Sequence, residues 1–169
     1  DKAVHFMDGE TGEDILPPLP TGDIIKGSAT TDPDGYPLVY TGSRDNYYRV
    51  IAIDRGPTAQ ELWKLSATDV SPTMWNNDWD GAGLVLDDFL FEGGENSQFH
   101  AVKLNRGYDG AGKVTVAPKL AFNTPSWDQQ LIRDLAGNRA NEFSIEDSVS
   151  MWGNTVYWAK SGGLVMGWD

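Results

Sequence analysis

The residues best suited to chemistry in this chain are acidic, and they come in short strings. Asp32-Pro33-Asp34-Gly35 and Asp78-Trp79-Asp80-Gly81 both read Asp-x-Asp-Gly, the opening of many calcium loops, where closely spaced carboxylates supply hard oxygen ligands and glycine makes the bend. Neither is followed by the spaced ligands and bidentate Glu of an EF-hand. Glu146 and Asp147 form a further acidic pair, and Asp80 and Asp147 stand at the same distance before the aromatic residues Phe91 and Trp158. Asp78, Asp80, Glu146 and Asp147 could therefore hold a cation or a polyol; carboxylates so placed equally suit the capping of backbone amides. Trp63, Trp75, Trp79, Trp152, Trp158 and Trp168 offer apolar faces with one donor each, fit for stacking on sugars or for packing. Trp75 and Trp79, which share a loop with Asn76, Asn77 and Asp78, are the two expected to face a ligand. His5 and His100 lack an acidic partner at metal-site spacing. There is no glycine-rich phosphate loop, no Ser-His-Asp order in a supporting context, and no cysteine, which excludes disulfides, thiolate metal ligands and a cysteine nucleophile.

Composition narrows the partners. A net charge of −12 over 169 residues argues against nucleic acid and against an anionic membrane surface, because both are bound by a basic face. No apolar run approaches the roughly 18 residues that span a bilayer, so no membrane insertion is expected. The chain starts at Asp1 without a Met, which suggests a processed protein or a fragment.

The elements that must position these residues read as short strands. Val39 to Arg55 aligns without a gap with Leu90 to Arg106, and each stretch is two strands around a polar turn. Around the first copy, Lys26-Gly27-Ser28-Ala29-Thr30-Thr31 forms a small-residue strand and Asp32 to Gly35 a turn; Glu61-Leu62-Trp63-Lys64-Leu65 supplies a fourth, amphipathic strand. Around the second, Gly81 to Leu86 is the inner strand and Lys113-Val114-Thr115-Val116 the fourth. Val4 to Asp8 ends a unit at the start of the chain, and Pro17-Pro18-Leu19-Pro20 serves as a connector. Residues 118–143 form an insertion with a helix at Trp127 to Leu135, where Trp127, Leu131 and Leu135 lie four apart. Ile145 to Trp152, Thr155 to Trp158 and Leu164 to Asp169 begin another unit. Third strands are expected to end at Asp8, Asp54, Asn105 and Asp169, with Ile51 and Ile53 in packing positions.

Four-stranded units of about 40–50 residues point to an all-β fold of β-propeller blades. The segments are 1–16 (end of a blade), 22–67 and 75–117 (blades), 118–143 (insertion) and 144–169 (partial blade). About three units would leave blade faces open, so a larger closed ring is expected, completed by the same polypeptide or by other chains. In such a ring the loop before each first strand and the turn between the second and third strands open on one face. That gathers Arg44, Asp45, Asn46, Trp75, Asn76, Asn77, Trp79, Glu95, Asn96 and Lys160 as the ligand-binding face.

Asp8-Gly9-Glu10-Thr11-Gly12-Glu13, after a Val-x-Phe-Met strand, resembles the repeat signature of the pyrroloquinoline-quinone-like (PQQ-like) propeller superfamily. Ala52-Ile53-Asp54 with Glu61-Leu62-Trp63 resembles it with a longer connector, and Leu104-Asn105-Arg106 with Gly112-Lys113 more loosely. Leu16 and Val116 stand where the signature has its docking Trp. The resemblance implies an extracytoplasmic (periplasmic or secreted) propeller acting as a non-catalytic binding or assembly module, with a protein or saccharide ligand. The alternatives are a fragment of a quinoprotein-type, PQQ-dependent oxidoreductase, and a calcium-stabilised carbohydrate-binding propeller. Quinoprotein dehydrogenases clamp the quinone against a vicinal disulfide, which a chain without cysteine cannot supply, so calcium is the cofactor the sequence leaves open and PQQ is not expected.

Overall fold

The computed structural model describes residues 1–70, 75–127 and 143–169, and these fold entirely through antiparallel β-sheet. β1 (Ala3–Met7) pairs with β2 (Asp14–Pro20). β3 (Thr30–Thr31), β4 (Leu38–Gly42), β5 (Tyr47–Ala52) and β6 (Gln60–Ser66) form a four-stranded sheet in chain order. β7 (Leu84–Leu86), β8 (Phe89–Gly93) and β9 (Gln98–Lys103) repeat the first three positions of that sheet. A small hairpin, β10 (Gly107–Tyr108) and β11 (Val114–Thr115), follows before β12 (Lys119–Pro125) pairs with β9 as the fourth. β13 (Ser150–Trp152), β14 (Thr155–Ala159) and β15 (Val165–Trp168) make a three-stranded sheet of the same order. We call these the leading pair and units one, two and three.

The repeat is visible in the backbone itself. The turn between second and third strands closes through Ser43 N–H to Tyr47 O, Gly94 N–H to Gln98 O and Lys160 N–H to Leu164 O, and carries a positive φ at Asn46, Ser97 and Gly163. Left-handed φ costs an ordinary side chain, so Asn, Ser and Gly at one register position mark one turn used three times. The pairing of third and fourth strands shifts register at the same place in the leading pair, unit one and unit two, between Phe6/Met7, Val50/Ile51 and Leu120/Phe122.

The core lies in the seams between successive sheets. Val4, Phe6, Val39 and Ile51 fill the seam between the leading pair and unit one. Tyr40, Tyr48, Val50, Trp79, Leu90 and Val102 fill seam one, between units one and two. Phe99, Ile145, Val156 and Trp158 fill seam two, between units two and three.

Several boundaries differ from the sequence reading. Pro17 to Pro20 lies inside β2, an edge strand where proline's missing N–H is tolerated. The inner strands shrink to Thr30–Thr31 and Leu84–Leu86, because the preceding Gly27 and Gly81 press against the backbone of the following unit. Lys113 to Val116 is not the fourth strand of unit two; it folds back as the β10–β11 hairpin, whose Val114 is buried while its N–H donates to Asp54, and the fourth strand opens the stretch read as an insertion. Matching registers place Asp169 with Lys103 and Ala52, two residues before the expected ends Asn105 and Asp54. Ile51 is buried, but Ile53 is 38% exposed. The helix expected at Trp127 to Leu135 falls, from Asp128 onward, outside the described residues.

Candidate functional site

At one end of the sheets, each turn between second and third strands meets the loop that enters its own inner strand. Arg44 N–H donates to Ile24 O, Glu95 N–H to Asp78 O and Ser161 N–H to Ser144 O. These bonds put Ile24, Asp78 and Ser144 at one register position, Ile25, Trp79 and Ile145 at the next, and Lys26, Asp80 and Glu146 at the one after. The carboxylate equivalent to Asp80 is therefore Glu146, not Asp147 as equal spacing from an aromatic residue suggested. Asp147 matches Gly27 and Gly81 instead, and its side chain accepts from Ser148 N–H.

Trp79 is not exposed to a ligand. It is fully buried, held against Gly42 and Gly94, with its ring 5.6 Å from Tyr48 and 5.0 Å from His100, and its Nε1–H donates to Asn46 O at 3.1 Å. A side chain at Gly42 would overlap Trp79 Cβ, and one at Gly93 would overlap Ile145. Trp79 and Ile145 are thus apolar plugs, each driven from its own unit's entry loop into a glycine-floored socket on the preceding unit. Trp75 does face solvent, at 58% exposure, beside the exposed Asn76.

Arg44 is the centre of the polar group. Its guanidinium donates to Asp80 through Nε (3.2 Å) and Nη2 (2.6 Å), with Asp78 and Glu95 each at 3.6 Å and Lys26 Nζ at 3.6 Å from Asp80. Burial would raise the Asp80 carboxyl, but the bidentate Arg44 holds it below the ordinary value. Burial pushes the Asp78 carboxyl up, against the pull of Arg44. Glu95 is pushed up to about 7, first by burial and then by the neighbouring charge of Asp80. Asp80 thus ionises well before its neighbour Glu95, because the Arg44 guanidinium sits on the Asp80 carboxylate.

The remaining sequence candidates are placed structurally. Asp45 accepts from Gly22 N–H and pairs with Arg49; Asn96 bridges Ala67 O and Gln98 N–H; Asn77 is half-buried. Lys160 donates to Ser126 O at 2.6 Å, and Glu146 accepts from Ser161 Oγ at 3.0 Å. Among the described residues no three His, Asp or Glu side chains come together as a metal site. The donor set does not fit calcium: Arg44 stands among Asp78, Asp80 and Glu95, while the other string, Asp32 and Asp34, takes the Arg106 guanidinium at 2.7–2.8 Å. A cation already neutralises both places.

Sequence reasoning missed Lys26, Arg106, Ser161 and Glu92. The first three are visible only once the register of the units is known. Glu92 is 2% exposed, its carboxylate oxygens have no hydrogen-bond partner among the described residues, and burial raises its carboxyl well above the ordinary value, which favours the neutral form. His100, whose Nδ1 lies 3.2 Å from Glu92 O, is lowered to about 4 by burial and is likewise neutral. Comparison of the chain with known protein families and with curated proteins gave no match.

Proposed function

We propose that the chain is a run of propeller-type blades, similar to the PQQ-like repeat, that serves as a non-catalytic binding or assembly module. One observation carries this reading: the units meet backbone to backbone at the inner edge and are spaced by large side chains farther out. At the inner edge Gly27 abuts the carbonyls of Asp80 and Gly81, Gly81 abuts the carbonyl of Asp147, and Val149 N–H donates to Ala82 O. Toward the outer strands the spacers are Trp63, Val116, Phe122 and Trp168. A seam thin at one edge and thick at the other makes successive sheets diverge, as blades do around an axis.

The binding end is the one built from Arg44, Asp78, Asp80 and Glu95, with Trp75 and Asn76 on its rim. Its charges are tied into the seam, which suits a rigid recognition surface better than acid–base turnover. Electron microscopy of the native polypeptide tests the reading. Class averages should show a ring of radial sheets around a channel, and an open linear stack would overturn it.

A further inference from the structure

The two seams obey one rule, and the outer face of unit three carries a third copy of its socket. A notch of about 210 Å³ there is lined by Glu146, Asp147, Ala159, Lys160 and Ser161. Those five positions match Lys26, Gly27, Gly42, Ser43 and Arg44 of unit one, which receive Trp79, and Asp80, Gly81, Gly93, Gly94 and Glu95 of unit two, which receive Ile145. Among the described residues no side chain plugs this socket.

Its walls are altered at two decisive places. The floor glycine of the first two sockets is Ala159 in the third. Because a Cβ on Gly42 or Gly93 would overlap the plug, the Ala159 methyl already takes part of the plug's volume. The wall charges change as well. Lys26 and Arg44 face the Asp80 that follows the Trp79 plug, whereas their third-unit counterparts are Glu146 and Ser161. An acidic residue after the plug would meet Glu146 as a like charge; a basic one would meet it as a partner.

We infer that this face docks a further unit of the same build, one that presents a small residue in place of Trp79 and a Lys or Arg in place of Asp80. The inference rests on the repeat reading above and adds which unit can sit there. Continuity with the two existing seams and the negative charge of Glu146 select that occupant.

The test extends the whole chain after Asp169 with a copy of residues 53–105, since Asp169 matches Ala52 in register. One version keeps the copied Trp79 and Asp80. The other carries W79A and D80K in the copy. Nuclear Overhauser contacts of the Ala159 methyl are recorded for both, with amide exchange of β15 as a second readout. The Ala/Lys copy should seat in the socket, shifting the Ala159 methyl and giving it contacts to the copied loop, while the Trp/Asp copy leaves the methyl as in the unextended chain. Equal seating of both copies would overturn the inference. So would slower β15 exchange in both with Ala159 untouched in either, an outcome that leaves the repeat reading standing. If β15 gains no protection in either version, the copied fourth strand has not paired and the repeat reading itself fails. Concentration-dependent shifts of Ala159 in the unextended chain would identify a second copy as the occupant and also overturn the proposal.

Discussion

Seam one and seam two join the same kinds of strands in the same register, yet they are held differently. Seam one is stapled by arginine at both ends, Arg44 on Asp80 at one and Arg106 on Asp32, Asp34 and Asp88 at the other, around the Trp79 plug. Seam two has an acidic residue, Glu95, where seam one has Arg44, and the charge of Glu146 across the seam adds to burial and Asp80 in raising the Glu95 carboxyl. Its cohesion is aromatic, with Phe99 stacked on Trp158 at 4.0 Å and Phe122 on Trp168 at 4.6 Å. One backbone plan thus tolerates opposite solutions. The plan specifies where side chains meet, and the residue types at those places decide whether the meeting is ionic, apolar or proton-dependent.

The largest expected effect comes from breaking seam one at its buried end. Arg106→Ala leaves Asp32, whose side chain is fully buried, without its cation, and should cost about 3–5 kcal/mol in urea unfolding. Trp79→Ala should cost about 3–5 kcal/mol and Ile145→Ala about 2–5 kcal/mol, so the plug of seam one should be at least as important as that of seam two. A larger loss for Ile145→Ala would reverse that ranking.

The seams should also separate by pH. Folded Glu95 keeps its proton up to about pH 7, whereas an unfolded glutamate releases it near 4.5. Between those values the folded chain binds more protons than the unfolded one, so this contribution is full below the lower value and is lost as pH rises through about 7. The opposite contribution of Asp80, whose carboxyl is lowered, is already complete at pH 5. Glu92 in seam one, whose carboxyl burial also raises, acts in the same direction as Glu95. The protein should therefore melt at a lower temperature at pH 8 than at pH 5. Glu95→Gln should recover about 1 kcal/mol of the difference, roughly 2–4 °C. If Glu92→Gln removes the whole pH dependence and Glu95→Gln none, the pH sensitivity belongs to seam one and the comparison fails. The smallest effect is expected at the rim, where Trp75→Ala should change stability by less than about 0.5 kcal/mol, read from the same melts.

Much of this plan was legible in the sequence. The gapless match of the Val39 and Leu90 stretches located β4, β5, β8 and β9, because strand pairs around a short turn are local and leave an alternating pattern. The inner strands were over-read because glycines that look like small strand residues serve close approach between units, a contact no local pattern encodes. The fourth strand of unit two was misplaced because Val114 is as apolar as a strand residue but is buried under a neighbouring corner by the β10–β11 hairpin. The site was half legible. Arg44, Asp80 and Glu95 were found from their turns, while Trp79 was taken for a ligand-facing residue, since its polar neighbours Asn77, Asp78 and Asp80 gave no sign of the glycine socket across the seam.

The divergence of the sheets is the central claim, and distances between spin labels test it most directly. Labels at Thr31 and Asp87, both exposed near the inner edges of units one and two, report the thin side of seam one. Labels at Gln60 and Lys119, which hold equivalent places on the outer strands β6 and β12, report the thick side. The outer pair should be clearly farther apart than the inner pair. Equal separations would mean that the sheets stack in parallel, and would contradict the account.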